Sequence, residues 1–141
     1  MINLFTYGSL MCNDIMFAVA GCRTASKSMI LNDFYRSKMR NEEYPGIMPR
    51  TGTQVDGVLY FDLSDEAIRR LDIFEGEYYD RQDVQVYSED LGMVDAMTYV
   101  IKSRYSHLLT DVEWSFAQFL NTGKPKFEDA YLGFRDLRKM V

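Results

Sequence analysis

The sequence is short of the residues that several kinds of chemistry require. Its 141 residues include two cysteines, Cys12 and Cys22, without the spacing of a disulfide framework. That usage suits a reducing compartment, so a cytoplasmic location is expected. There is one histidine, His107, with no partner at ligand spacing. A histidine relay and an imidazole-bound metal are therefore not expected, and no cofactor is implied. Ser9 and Cys12 likewise lack a local base that would activate them. The 16 Lys and Arg are outnumbered by 21 Asp and Glu, for a net charge of −5, and they are scattered. Phosphate neutralisation needs a basic stripe, so nucleic acid is excluded as an expected partner. No apolar run reaches the length of a membrane-spanning helix. Val19-Ala20-Gly21-Cys22 has the form of a lipoprotein cleavage box, but no Lys or Arg precedes it and Asn13-Asp14 interrupts the apolar run, which argues against export.

What is present is apolar bulk and local punctuation. At 47% hydrophobic and 14% aromatic, the chain can fill one core, and with no repeat, linker or low-complexity segment a single domain over residues 1–141 is expected. Residues 2–7 read as a strand, and Asn13–Val19 as a short helix capped by Asn13 or Asp14. Met29–Tyr35 and Val55–Phe61 read as strands. Between them, "RSKMRNEEYPGIMPRTG" carries two prolines and two glycines and reads as a long loop or hairpin lip, with Tyr44-Pro45 as a candidate pocket wall.

The best specified helix follows. Ser64 caps it, Asp65 and Glu66 complement its dipole, Leu63 staples onto Ile68, and Gly76 sits past its end, so it closes on Phe74-Glu75. Tyr78–Tyr87 and Val94–Ile101 alternate as a hairpin about "SEDLGM". Thr110 and Glu113 have the spacing of a capping box for a last helix with Val112, Phe116, Phe119 and Leu120 on one face. Phe127, Tyr131, Phe134 and Leu137 then recur at helical spacing, which suits helical turns laid over the sheet.

Two places carry chemical promise. In "FTYGSLM" a strand runs straight into Gly8-Ser9, a connection that can leave successive N–H groups facing one concavity and form an anion-binding nest. Gly8, free to take positive φ, would let the chain turn and approach a ligand closely. Glu75 is the other. A carboxylate in the last turn of a helix meets the negative end of the macrodipole, and Phe74, Tyr78 and Tyr79 would desolvate it, both of which raise its pKa toward the range useful for proton transfer. A solvated glutamate, or an ion pair with Arg70 or Arg81, is the competing reading of that position.

"YGSL" and "LDIFEGEYYDRQDV", with "EYPGIMP" and "VDGVLYFDLSDEAIRRLD" in order between them, closely resemble the signature segments of the gamma-glutamyl cyclotransferase-like family. That family includes gamma-glutamylamine cyclotransferases and the plant avirulence-induced relatives. The resemblance covers about residues 2–101. It implies an α+β fold, a mainly antiparallel β-barrel of six strands or so with surrounding helices and one pocket. It also implies an activity: the gamma-glutamyl group of a small-molecule amine or peptide conjugate cyclises onto its own α-amine, giving 5-oxoproline and the free amine.

Carried over by motif, Glu75 is the proton acceptor, and Tyr7, Gly8, Ser9 and Leu10, with Met11 and Cys12 following, form the substrate loop. Arg81 matches an arginine common after the "EG" segment and could orient Glu75, brace the loop or form a simple ion pair. Tyr44 could line the leaving-amine side or pack as a core aromatic. Met11 stands where the gamma-glutamylamine branch often has a basic residue, which leaves the released amine open. A ligand-binding module that keeps the barrel without turnover is the alternative function.

Overall fold

A computed structural model describes residues 1–138. Five strands, β1 (Ile2–Thr6), β2 (Ser26–Lys38), β3 (Pro45–Leu63), β4 (Tyr79–Ser88) and β5 (Gly92–Ile101), close into a barrel in the order β1-β3-β2-β4-β5. The resemblance implied six or so; five form among the described residues, the number of strand segments that the periodicity itself picks out. The β1–β3, β3–β2, β2–β4 and β4–β5 pairs are antiparallel, and β1–β5 closes the barrel as a parallel seam with Leu4 opposite Met97. That seam is short, and buried Thr98 reinforces it by donating its hydroxyl to the Phe5 carbonyl at 2.9 Å.

Strand alternation sorts the apolar side chains into two sets. Phe5 and Tyr7 join Leu31, Ile47, Val55, Leu59 and Val86 in a cluster drawn from the strands. Leu4, one residue out of phase, packs instead with Ile15, Met16 and Leu71 beneath α1 (Asn13–Ala20) and α2 (Asp65–Glu75). Such period-2 sorting is what a closed sheet with helices on its outside demands.

Three local expectations change. The segment 36–52 is mostly strand rather than loop, because β2 runs on to Lys38 and β3 begins at Pro45, with Lys38 opposite Pro45 and Phe34 opposite Pro49. Its prolines are tolerated because Pro45 opens a strand and Pro49 lies next to an irregularity, after Asn32, where the ladder is already broken. Helix α1 has Cys12 at its cap position, and the Asn13 side chain instead accepts from the Tyr60 hydroxyl at 2.8 Å. The Thr110–Glu113 box does not start a helix: Thr110 donates its hydroxyl to Lys38 O at 2.7 Å and ties the segment to the end of β2. The helix begins only at α3 (Phe116–Gln118), capped by Ser115, and Val112 and Leu120 are left 59% and 44% exposed.

From α3 the chain widens through Phe119–Gly123 into α4 (Lys124–Ala130) and α5 (Leu132–Arg138). Phe127 stacks on Tyr131 with centroids 4.6 Å apart, and Tyr131 lies 4.9 Å from Phe74. The tail therefore docks on the last turn of α2, beside Glu75. None of the described helices is long and apolar enough to cross a membrane.

Candidate active site

The end of β1 and the end of α2 meet at one mouth of the barrel. Beyond β1, Tyr7 and Gly8 lead into a single tight turn over Ser9–Met11, closed by N–H bonds from Met11 to Gly8 O (2.9 Å) and from Cys12 to Ser9 O (3.1 Å). The first N–H groups of any helical turn have no partner within it. Here the Gly8, Ser9 and Leu10 N–H groups have no acceptor among the described residues. Gly8 does not take the positive φ expected of it; its φ is −132°. Glycine is required for space, because a Cβ there would lie 2.8 Å from Pro45 Cδ.

Opposite this turn, α2 starts where Ser64 accepts from the Ala67 N–H at 3.2 Å. It stops at Glu75, where Gly76 turns the chain away with φ +81°, a conformation open to glycine and costly for other residues. The cap and the stop together put Glu75 at the mouth. The pocket between them, with about 380 Å³ of atom-free space when its opening to solvent is included, is lined by Tyr7, Gly8, Ser9 and Leu10 together with Glu75, Tyr79 and Tyr99. Tyr44-Pro45 and, from the tail, Phe127 and Tyr131 complete its wall.

The lining contains no Lys, Arg or His. Burial among the aromatics pushes the Glu75 carboxyl up to about 8, and the charge of Asp72, one turn back on α2, adds to it. No described residue hydrogen-bonds to its carboxylate. The tyrosines are held by their hydroxyls: Tyr7 donates to Tyr99 O (2.7 Å), Tyr79 to Pro45 O (2.9 Å) and Tyr131 to Glu75 O (3.1 Å). Burial is the main cause that keeps the Tyr7, Tyr79, Tyr99 and Tyr131 phenols well above their usual value, so they stay neutral. Tyr99 also donates to Asp72 at 2.7 Å, and Arg81 grips the same carboxylate at 2.9 and 3.2 Å. A chain of contacts thus runs from Tyr7 through Tyr99 and Asp72 to Arg81.

Of the residues the sequence singled out, Glu75, Tyr7, Gly8, Ser9, Leu10 and Tyr44 come together around the pocket. Met11 and Cys12 lie beyond it and close the turn through their N–H groups. Arg81 is outside the lining and pairs with Asp72, not with Glu75. Sequence reasoning missed Tyr99, Phe127, Tyr131 and Asp72. The spacing of Phe127 and Tyr131 marked one helical face, but nothing local told which part of the barrel that face would cover. Among the described residues, no three His, Cys, Asp or Glu gather as a metal site needs.

Similarity to known proteins bears on the family. A family model described as gamma-glutamyl cyclotransferase, AIG2-like, matches residues 4–116. AIG2-like protein D of Arabidopsis thaliana is 34% identical over 90 residues, 64% of this chain and 59% of that protein. The match thus spans less than two thirds of that relative's length. AIG2-like protein C of the same plant is 29% identical over 139 residues, 98% of this chain and 80% of its own. A solved gamma-glutamyl cyclotransferase superimposes with a TM-score of 0.63 at 18% identity, over 72% of this chain and 66% of that one, which is a likeness of fold.

Proposed function

Because the chain belongs to the AIG2-like gamma-glutamyl cyclotransferase family, we propose that it cyclises the gamma-glutamyl group of a small amine or peptide conjugate, with Glu75 as the acid–base group. The observation that carries this reading is the pairing, in one pocket, of a desolvated carboxyl with three N–H groups that lack acceptors.

The substrate brings both reacting groups. Its α-amine nitrogen attacks its own side-chain carbonyl carbon, the new N–C bond closes a five-membered ring, and the bond to the departing nitrogen breaks. Intramolecular closure of this kind draws several kcal/mol or more from proximity alone. The protein has then to take a proton from the α-ammonium, hold the carbonyl oxygen as charge grows on it while the ring nitrogen sheds its second proton to solvent, and return the first proton to the leaving nitrogen. Glu75 performs the first and last steps. A carboxyl that titrates near 8 exchanges protons readily in both directions at neutral pH. The Gly8, Ser9 and Leu10 N–H groups receive a substrate oxygen, either that of the carbonyl or those of the α-carboxylate. A lining without cations leaves neutral donors, these backbone N–H groups among them, to hold that oxygen. The tyrosine rings exclude water, which would otherwise compete with the α-amine.

The test is turnover of a panel of gamma-glutamyl amines and peptides in ¹⁸O-labelled water, read by mass spectrometry. Unlabelled 5-oxoproline and free amine are expected, since no water enters the bond exchange. Labelled glutamate as the first product, without prior 5-oxoproline, would overturn the reading in favour of hydrolysis. A panel blank throughout, with ligands still bound, would turn it to a non-catalytic binding module.

A further inference from the structure

Arg36 touches the substrate loop from behind. Its side chain is 14% exposed, and its Nη1 donates to Tyr7 O at 2.8 Å and to Asp56 O at 2.9 Å. Its Nη2 donates to Asp56 Oδ1 at 3.0 Å. The guanidinium lies over the Trp114 ring, 5.3 Å from its centroid. Arg36 and Trp114 line a groove distinct from the pocket and share none of its residues.

The Tyr7–Gly8 peptide is trans, so its C=O and N–H point in opposite directions. A carbonyl held by Arg36 on the groove side therefore turns the Gly8 N–H away from Arg36, and Gly8 itself lines the pocket. We infer that Arg36 is a positioning residue that aims the substrate loop by fixing the Tyr7–Gly8 peptide plane. The inference rests on the reading of that loop as the substrate's oxygen-binding site.

Trp114 extends the same grip to the facing wall. Its ring is buried, and its Nε1 donates to Glu43 O at 2.8 Å, one residue before Tyr44-Pro45. Pro45 in turn abuts Gly8. One guanidinium and one indole thus hold both sides of the gap between the loop and Pro45. Lysine cannot copy this arrangement, because a single ammonium does not present a flat fork to two carbonyls and a carboxylate while stacking on a ring.

Arg36→Met keeps much of the stem and removes the fork, and Arg36→Lys keeps the charge. On an accepted gamma-glutamyl substrate, Arg36→Met should lose ~10–100-fold in kcat/KM, the order expected of a misaimed group, and Arg36→Lys should recover only part of it. A fall in kcat would assign the loop to the developing oxyanion, and a rise in KM to the carboxylate; either agrees with the aiming role. The second readout needs no turnover. In amide ¹⁵N–¹H spectra, the Gly8, Ser9 and Leu10 signals should shift and gain mobility in Arg36→Met, while Arg69→Gln, which breaks an exposed ion pair elsewhere, leaves them in place. Folded Arg36→Met with unchanged loop amides would overturn the inference whether or not the protein turns anything over. Moved amides with no turnover by the unsubstituted protein would instead fault the functional reading alone.

Discussion

Replacing Glu75 by Gln should cut turnover sharply, and the stability of the variant relative to the parent should grow with pH. A carboxyl that titrates near 8 folded, against an ordinary value of 4.5, binds more protons folded than unfolded between those values. Its support for the folded state is fully present below pH 4.5 and is withdrawn as pH rises through about 8. Each pH unit of separation corresponds to about 1.36 kcal/mol, which puts an upper bound of about 5 kcal/mol on the loss. Glu75 is partly exposed as a residue, and water relaxes part of that cost, so ~2–3 kcal/mol is the expected size. Gln keeps the volume and carries no charge at any of these pH values. Any constant cost of burying its amide shifts the whole curve without changing its slope. Urea denaturation of both proteins at pH 5, 7 and 8.5 reads the difference directly: the stability of Glu75→Gln relative to the parent should rise by ~2–3 kcal/mol between pH 5 and pH 8.5. The same variant should lose roughly 10²–10⁴ in rate, as removal of a general base does. Parallel stability curves would show that Glu75 titrates in the ordinary carboxylate range and would refute the desolvation argument. Near-normal 5-oxoproline release would refute its role as the base.

Three further outcomes follow from the same contacts. The acid limb of kcat/KM, which reports the free enzyme, should fall near pH 8 for Glu75, and an acid limb near 4.5 would contradict it. Asp72→Asn removes the like charge that adds to the Glu75 shift and releases Arg81 from its carboxylate, so that limb should move to lower pH; an unmoved limb would mean that Asp72 does not reach Glu75 electrostatically. Gly8→Ala sets a Cβ 2.8 Å from the Pro45 ring, which should cost ~1–3 kcal/mol by overpacking and displace the loop, with a fall in kcat/KM that an intact, fully active variant would disprove.

The parts of the site that local rules specify were legible in the sequence. Ser64, the acidic first turn and Gly76 bound α2 so tightly that Glu75 could be placed at its last residue. The Gly8-Ser9 turn was legible as well, though for a different reason than the one that holds: glycine is needed there because Pro45 is close, not because φ is positive. That contact joins residues 37 apart in the chain and leaves no local trace. The 36–52 segment was misjudged for a related cause. Proline and glycine mark breaks in isolated segments, yet a long β2–β3 ladder absorbs them at a strand start and beside an irregularity. Thr110 and Glu113 had the spacing of a cap, and a hydrogen bond to Lys38 took the threonine for another purpose. Tyr99, Phe127, Tyr131 and Arg36 gain their places only when the barrel closes and the tail docks.

The contacts one turn back on α2 explain why no cation neutralises the Glu75 carboxyl. An unpaired glutamate facing a pocket of aromatic rings opposes folding at neutral pH, and the simplest relief would be a neighbouring cation. Arg81 is close enough to serve α2, but its guanidinium is taken up by Asp72 and the hydroxyl of Tyr99 converges on the same carboxylate. The cation is thereby held one helical turn away from Glu75, where it anchors the helix without neutralising the group at its end. If Arg81 paired with Glu75 instead, the carboxyl would drop into the ordinary range or below it and stay ionised, and in the proposed reaction it would be a weak base toward an ammonium and a poor donor to a leaving nitrogen. The Asp72–Arg81–Tyr99 network therefore separates two demands on one helix end. It fastens α2 to the barrel through an ion pair at the edge of solvent, and it leaves Glu75 desolvated and free to exchange its proton with whatever enters the pocket.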